Sequence, residues 1–244
     1  MEKGQARQTP VAELMTPASS VSTAPSTYTV QKCVSTMRAL KVRHLPVVDK
    51  DGGVKAVLSM QDVSQQILNA MTSQHGEAEP TIGDLLDAPT VSTPNVADIS
   101  ISSKANVADA IERMRDMSSG SLLVRISGVF MPFSPQFGIF TERDYVHNVV
   151  PFDEKGPAEI ALESVSRFTS GTSKAFMRSI QDNPAMTYAY RPAAVTCVER
   201  KTRVRDCLSL MLGQGLLYVP VTENKQPVNI ISMRDINLFL APAR

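Results

Sequence analysis

A hydroxyl residue followed three positions later by an aspartate occurs five times in the chain, in the pattern Ser/Thr-x-x-Asp. A hydroxyl and a carboxylate at this spacing form the capping box that closes the N-terminus of a helix. The same two groups could instead hold a ligand, because both make hydrogen bonds. Thr81–Asp84 has no apolar strand before it and predicts a plain capping box, and Ser179–Asp182 is the second isolated copy. The other three copies directly follow apolar, strand-like segments: Ser59–Asp62, Thr141–Asp144 and Ser232–Asp235.

These three copies end three similar stretches of sequence, which indicates an internal repeat. Each stretch contains a methionine within an amphipathic helical pattern, with apolar residues at i, i+3 or i+4, and i+7. The centre of a short apolar run follows nine residues later. The methionine and run-centre pairs are Met37 and Pro46, Met114 and Leu123, and Met211 and Pro220.

The same order of elements is predicted for each stretch. A short strand precedes the helix, two short β-branched runs separated by turn residues follow it, and a second helix comes last. The sequence therefore predicts a β-α-β-β-α unit written three times, in residues 8–72, 80–150 and 185–242. Residues 151–184 are predicted to be a linker with one or two helices, because they are too few for a fourth unit.

The unit resembles the cystathionine β-synthase (CBS) domain. The hairpin "HLPVVDKDGGVKAVLSMQDV" of residues 44–63 and the ending "GIFTERDY" of residues 138–145 carry the likeness, which covers most of the chain. The resemblance implies an α/β (α+β) fold of tandem units. It also implies that the units pack in pairs, sheet against sheet, around a pseudo-twofold axis. An odd number of units then leaves one face to be covered by a homodimer, by another protein or by the linker.

The resemblance also implies two clefts per pair that bind adenosine-containing ligands such as AMP, ADP, ATP or S-adenosylmethionine. In the family the Ser or Thr hydroxyl contacts phosphate and the Asp accepts hydrogen bonds from the ribose. A helix N-terminus suits a phosphate and an acceptor-only carboxylate suits a vicinal diol, so physical chemistry agrees with these roles. The residues that match are Ser59, Asp62, Thr141, Asp144, Ser232 and Asp235, and the resemblance places the backbone around Pro46 and Pro220 beside the base. Arg143 and Arg234 each directly precede a motif aspartate, where their positive charge would suit a phosphate.

The composition of the chain limits which classes of partner and activity the protein can have. Twenty-five Lys and Arg balance 24 Asp and Glu, so no global field favours nucleic acid or a membrane surface. No apolar run is long enough to span a bilayer, and three unpaired cysteines suggest a reduced, intracellular compartment, either the cytoplasm or an organelle matrix such as the mitochondrion. No catalytic motif is present and the three histidines are scattered, so the sequence predicts neither an enzyme nor a protein-bound metal, beyond any Mg²⁺ carried by a nucleotide.

Two segments are each open to two interpretations. The hairpin of the second unit is lengthened over residues 125–138, and its Phe130, Phe133 and Phe137 either fold onto their own domain or dock a partner protein. The basic run Arg200, Lys201, Arg203 and Arg205 is either a solvated face or a contact for phosphate or RNA.

The leading hypothesis is a non-catalytic regulatory module that binds an adenosine-containing ligand between CBS-type units and modulates a partner protein. The alternative is a structural subunit of a larger assembly that uses the same fold as a scaffold with empty clefts. Both hypotheses expect a protein partner or a homodimer.

Overall fold

The computed structural model describes residues 10–72, 79–89, 91, 94–126, 137–148, 157–168 and 195–240. Three segments within these ranges share the predicted β-α-β-β-α order, and each contains its own sheet. In the first two segments the first strand runs parallel to the second, which pairs antiparallel with the third. The predicted fold class is confirmed, while the domain boundaries drawn from the sequence stay predictions.

The first segment is preceded by a short helix and a 3-10 turn, α1 (Val11–Leu14) and Ala18–Ser20. Its own elements are β1 (Ala24–Pro25), α2 (Val30–Ala39), β2 (His44–Val48), β3 (Val54–Ser59) and α3 (Met60–Thr72).

The second segment begins after α4 (Ile82–Asp87). Its elements are β4 (Ser100–Ser102), α5 (Val107–Asp116), β5 (Ser121–Arg125), β6 (Phe137–Thr141) and α6 (Glu142–Asn148). The third segment contains β8 (Val198–Glu199), α7 (Val204–Gln214), β9 (Tyr218–Glu223), β10 (Gln226–Ser232) and α8 (Met233–Leu240).

Residues 157–168 differ from the predicted helical linker. They form two 3-10 turns, Pro157–Glu159 and Leu162–Ser164, and then a strand, β7 (Arg167–Phe168), which pairs with β6. Leu162 is buried against the core of the second segment, and its backbone N–H donates to the carbonyl of Ala105. This tertiary contact outweighs the local helical pattern. The second predicted linker helix lies outside the described residues.

The first helix of each segment ends in the same way. At Lys41, Ser118 and Gly215 the backbone turns left-handed, with φ of 55°, 50° and 63°. The next residue in each case donates its N–H to the carbonyl of Met37, Met114 or Met211, five positions back. This is the Schellman arrangement, which satisfies carbonyls at a helix end. The shared C-terminus shows that the three helices are equivalent elements.

The described residues divide into two compact units. The first compact unit contains described residues of 11–93, 199–219 and 231–240, and the second contains those of 94–198 and 220–230. The third segment therefore contributes its two helices to the first compact unit and most of its hairpin to the second.

The sheets of the first two segments differ in how their faces are covered. On the first sheet, Leu45 and Leu58 pack against Cys33 and Met37 of α2. On the second sheet both faces are buried within the second compact unit. One face, with Leu122, Val124 and Phe140, packs on α5, and the other, with Leu123 and Phe137, packs with Ile99, Cys197 and Ile230.

Candidate ligand-binding site

The motif at the end of β3 forms a closed set of hydrogen bonds. Both the backbone N–H and the hydroxyl of Ser59 donate to Oδ2 of Asp62, at 2.8 and 2.6 Å. The backbone N–H of Asp62 donates back to the Ser59 hydroxyl at 3.2 Å. Within the described chain no donor bonds the second carboxylate oxygen, Oδ1. The motif therefore caps α3 and retains one carboxylate oxygen as an acceptor.

The other copies have the same geometry. The hydroxyl-to-carboxylate distance is 2.6 Å for Thr141 and Asp144, and 2.7 Å for Ser232 and Asp235. It is also 2.7 Å for Thr81 and Asp84, the copy outside the repeat register, which forms the predicted capping box. The hydrogen bonds alone therefore do not separate a ligand site from a helix cap.

The copies of the motif in repeat register differ in how deeply their aspartates are buried. Asp62 is exposed to solvent, Asp235 is partly buried, and Asp144 is only 6% exposed, as is its partner Thr141 at 3%. A ligand can reach a carboxylate only where solvent can. Asp62 is consequently the most accessible of the three aspartates in repeat register.

Asp62 and Asp235 experience opposite electrostatic environments. Hydrogen bonds from the Ser59 side chain and backbone hold the pKa of Asp62 below its ordinary value, with a smaller contribution from His44. Burial raises the pKa of Asp235 above its ordinary value, although hydrogen bonds from Ser232 and the charge of Arg234 act against this shift. Asp62 is thus held in its charged, acceptor-only form.

Asp62 lines an open cleft of about 480 Å³ between α3 and α7. Gln61 and Gln65 of α3 and Ser209 of α7 supply further polar groups, while Leu68 and Leu212 supply apolar contact area. A mixture of a few polar groups and apolar surface is typical of small-molecule sites. No sequence pattern indicates these three polar side chains, because only the packing of α3 on α7 brings them together.

A buried polar pair joins α3 to α8 two residues beyond Asp62 and Asp235. The Asn237 amide nitrogen donates to the Ser64 hydroxyl at 2.9 Å and to the carbonyl of Met60 at 3.2 Å. Both side chains are fully buried. Because each lies five residues after its motif hydroxyl, the first and third segments contact each other at equivalent positions. An alignment of the repeats would have shown a polar residue at this point of both helices.

The remaining predicted site residues are divided between the two compact units. Pro46 on β2 is partly buried and Pro220 on β9 is buried. Arg143 is exposed, whereas Arg234 is partly buried in the first turn of α8. The first compact unit contains Pro46, Arg234 and the motifs of the first and third segments, and the second contains Pro220, Arg143 and the Thr141 motif.

The aromatic candidates for partner binding are only partly described. Phe130 and Phe133 lie outside the described residues. Phe137 is 4% exposed and packs with Ile99 and Leu123. For Phe137 this position favours the interpretation that the aromatic side chain folds onto its own domain.

The basic run of the third segment is matched by local carboxylates. Nη2 of Arg200 donates to both carboxylate oxygens of Asp87, at 2.9 and 2.7 Å, and Arg205 lies 2.8 Å from Glu79. Arg203 also contacts Glu79, and Lys201 pairs with Glu199. These contacts favour a structural role, in which ion pairs from the basic run hold α4 and the residues before it against the start of α7.

Two kinds of site have no support among the described residues. No group of three or more His, Cys, Asp or Glu side chains is placed to hold a metal ion there. None of the helices within the described ranges is long and apolar enough to cross a membrane.

Comparison with known structures agrees with this architecture. A protein of Methanocaldococcus jannaschii, described as a candidate archaeal homologue of γ-AMPK, aligns over 90% of this chain and 67% of its own, with 15% identity and a TM-score of 0.57. A conserved protein of Pyrococcus horikoshii aligns over 91% of this chain and 79% of its own, with 15% identity and a TM-score of 0.58. At this identity the likeness concerns the fold alone.

The sequence comparisons match two regions of the chain to one family. No curated protein matches the chain in sequence. The sequence model described as CBS domain matches residues 11–69 and 191–241, which are the first and third segments. The middle segment is not matched, although its strands follow the same order. The chain therefore contains CBS-domain sequence in two separate regions.

Proposed function

We propose that the protein is a non-catalytic regulatory module that binds an adenosine-containing ligand beside Asp62 and changes how it binds a partner protein. The observation that carries this proposal is the position of Asp62. Its carboxylate ends a family-type motif, is exposed to solvent, and lines the cleft between α3 and α7.

The site offers complementary groups for such a ligand. The free acceptor capacity of Asp62 suits the two ribose hydroxyls, and the start of α3 presents the positive end of a helix dipole to a phosphate. In the structure the Ser59 hydroxyl donates to Asp62. A phosphate oxygen would take over this donor, while the backbone N–H of Ser59 continues to hold the carboxylate.

Binding in this cleft provides a route to regulation. The cleft is lined by α3 of the first segment and α7 of the third, so a ligand that contacts both helices favours one relative arrangement of them. A partner that recognises these helices would then bind the liganded and unliganded forms with different affinities.

The test is a titration of the full chain with AMP, ADP, ATP and S-adenosylmethionine, by calorimetry and by thermal unfolding. A ligand at a hundred times its Kd stabilises the native state by about 2.7 kcal/mol. For a chain of this size each kcal/mol raises Tm by about 2–4 °C, so we expect an increase of roughly 5–10 °C. Asp62→Asn removes the charge, and we expect it to abolish the increase.

Asp84→Asn is the matched control. Asp84 is also exposed and makes the same hydrogen bonds to its hydroxyl partner, but it lies outside the repeat register. We expect this variant to lose a comparable helix cap and still bind the ligand. If none of the four compounds raises Tm at millimolar concentration, or if Asp62→Asn binds like the wild type, the proposal is wrong.

A further inference from the structure

The cleft between α3 and α7 is lined almost entirely by neutral groups. Asp62 is its one acidic side chain, and within the described chain no Lys, Arg or His side chain lines it. The residue before Asp62 is Gln61, where the other two motifs in repeat register have an arginine. Further phosphate groups on a ligand would therefore meet no basic side chain along the walls of the cleft. Selection between ligands falls instead to the neutral polar groups.

Gln65 lies one helical turn beyond Asp62 and lines the same cleft. Residues three and four apart share one face of a helix, so the side chains of Asp62 and Gln65 are neighbours on α3. At a rise of about 1.5 Å per residue, Gln65 lies about 4.5 Å and Leu68 about 9 Å beyond Asp62 along the helix axis. A nucleoside whose ribose is held at Asp62 can therefore present its base to Gln65 and Leu68.

Both helices offer apolar surface for the flat faces of a base. Leu68 of α3 and Leu212 of α7 are partly buried and line the cleft. Gly213, next to Leu212, has no side chain, and a Cβ added there would meet no atom within 4 Å. The wall formed by α7 is therefore open enough for a ring to approach the helix backbone.

A hydrogen bond along α3 orients the amide of Gln65. Its Nε2 donates to Oδ1 of Asn69 at 3.1 Å, and Asn69 lies one turn further along the helix. Within the described chain the second hydrogen of Nε2 has no acceptor and Oε1 has no donor. A reversed amide would place Oε1 against Oδ1 of Asn69, and both atoms are acceptors. Gln65 thus offers one donor and one acceptor side by side, in a fixed order.

The equivalent positions of the other two segments have no amide. Six residues after the motif hydroxyl, α6 has His147 and α8 has Leu238, which is only 8% exposed. An amide at this position is therefore a feature of the first segment, and the repeat does not require it.

Adenine presents groups that are complementary to those of Gln65. Its 6-amino group donates and the adjacent ring nitrogen accepts, and one glutamine amide can bond both at once. Hypoxanthine has an oxygen in place of the 6-amino group, which would face Oε1 of Gln65 as a second acceptor. We propose that Gln65 recognises the base and makes the cleft selective for a 6-aminopurine over a 6-oxopurine. This proposal rests on the proposed binding of an adenosine-containing ligand beside Asp62, and it names the residue that recognises the base.

The experiment compares AMP with inosine monophosphate, which has the same ribose and phosphate, by calorimetry on the full chain. We expect the wild type to bind AMP about 10-fold or more tightly, the effect of one bidentate amide contact. Gln65→Leu removes both amide groups, and we expect it to weaken AMP binding to the level of inosine monophosphate. Gln66→Leu is the matched control, since Gln66 is also exposed on α3 but does not line the cleft. It should keep the wild-type ratio.

Asn69→Ala tests whether the order of donor and acceptor is fixed. Without the hydrogen bond to Oδ1, the Gln65 amide can turn over and meet a 6-oxopurine. We expect inosine monophosphate to bind this variant more tightly than it binds the wild type, with little change for AMP. An unchanged ratio of the two affinities would contradict the role of Asn69 in orienting the amide.

The outcomes separate this proposal from the one on which it rests. If the two nucleotides bind the wild type equally and both need Asp62, the ligand site is correct and the role of Gln65 is wrong. The role of Gln65 is also wrong if Gln65→Leu keeps the wild-type ratio, or if Gln66→Leu loses it equally. If neither AMP nor ATP binds at millimolar concentration, this proposal fails, and the titration with S-adenosylmethionine decides whether the proposed function fails with it. Circular dichroism establishes that each variant is folded.

Discussion

Glycine at position 41 or 118 should stabilise the protein. Lys41 and Ser118 occupy the left-handed position after α2 and α5, with φ of 55° and 50°, and the third segment has Gly215 at the equivalent position. Both side chains are exposed, so their removal takes away no buried contact. Two of the three equivalent helix ends therefore place a Cβ where the backbone conformation disfavours it.

The size of the effect is the difference between two opposing contributions. A left-handed conformation costs a residue with a Cβ about 1–2 kcal/mol. Glycine relieves this strain, but it increases the conformational freedom of the unfolded chain, which lowers stability by about 0.4–1 kcal/mol. We therefore expect Lys41→Gly and Ser118→Gly to raise the free energy of unfolding by about 0.5–1 kcal/mol each. By the same reasoning Gly215→Ala should lower it by a similar amount.

Urea unfolding measures these differences through the midpoint, provided that the slope is unchanged. Lys41→Ala and Ser118→Ala are the matched controls, because alanine shortens the side chain but keeps the Cβ. We expect the alanine variants to match the wild type and the glycine variants to exceed it. If alanine and glycine have the same effect at both positions, backbone strain is not the cause and the reasoning fails.

Two further predictions concern the motif helices. The depressed pKa of Asp62 means that its charge contributes stability above the unfolded-state pKa near ~4, and this contribution is lost as the pH falls through the folded-state pKa. The raised pKa of Asp235 has the opposite consequence: its contribution is present below the unfolded-state pKa and is lost as the pH rises through the folded-state pKa. Urea midpoints measured between pH 3 and 7 should therefore show that Asp62→Asn and Asp235→Asn change the pH dependence of stability in opposite directions. A change of the same sign in both variants would contradict the opposite pKa shifts of the two aspartates. Asn237→Ala should lower the free energy of unfolding by about 1–3 kcal/mol, because it breaks a buried hydrogen-bonded pair. A double-mutant cycle with Ser64→Ala should show that the two effects on the free energy of unfolding are not additive. Simple additivity would mean that the two side chains do not act together.

Local features of the fold were predictable because they depend on nearby residues. The register of Met37, Met114 and Met211 located the first helix of each segment, and an apolar run nine residues later located the following strand. The capping box at Thr81 was predicted from its four-residue pattern and the absence of a preceding strand, and the structure confirms it. Hydrophobic spacing and capping act within one or two helical turns, so they can be read from sequence.

Contacts between distant residues were not predictable in the same way. Ser64 and Asn237 are separated by 173 positions, and no local pattern indicates that they meet. Residues 157–168 have a helical pattern but pack as turns and a strand, because Leu162 is buried in the core of the second segment. The ligand cleft likewise depends on how α7 packs on α3. Each of these features is decided by tertiary packing, which a single sequence does not report.

The split of the third segment between the two compact units has a consequence for biosynthesis. The apolar side of α3 includes Val63, which packs with Leu238 of α8, and α8 is made after every other described helix and strand. At translation rates of about 5–20 residues per second, α8 is synthesised on the order of ten seconds after α3. During this interval the nascent chain exposes surface that the finished protein buries, so a chaperone has a defined window in which to bind. A chain truncated before residue 195 would lack part of both compact units.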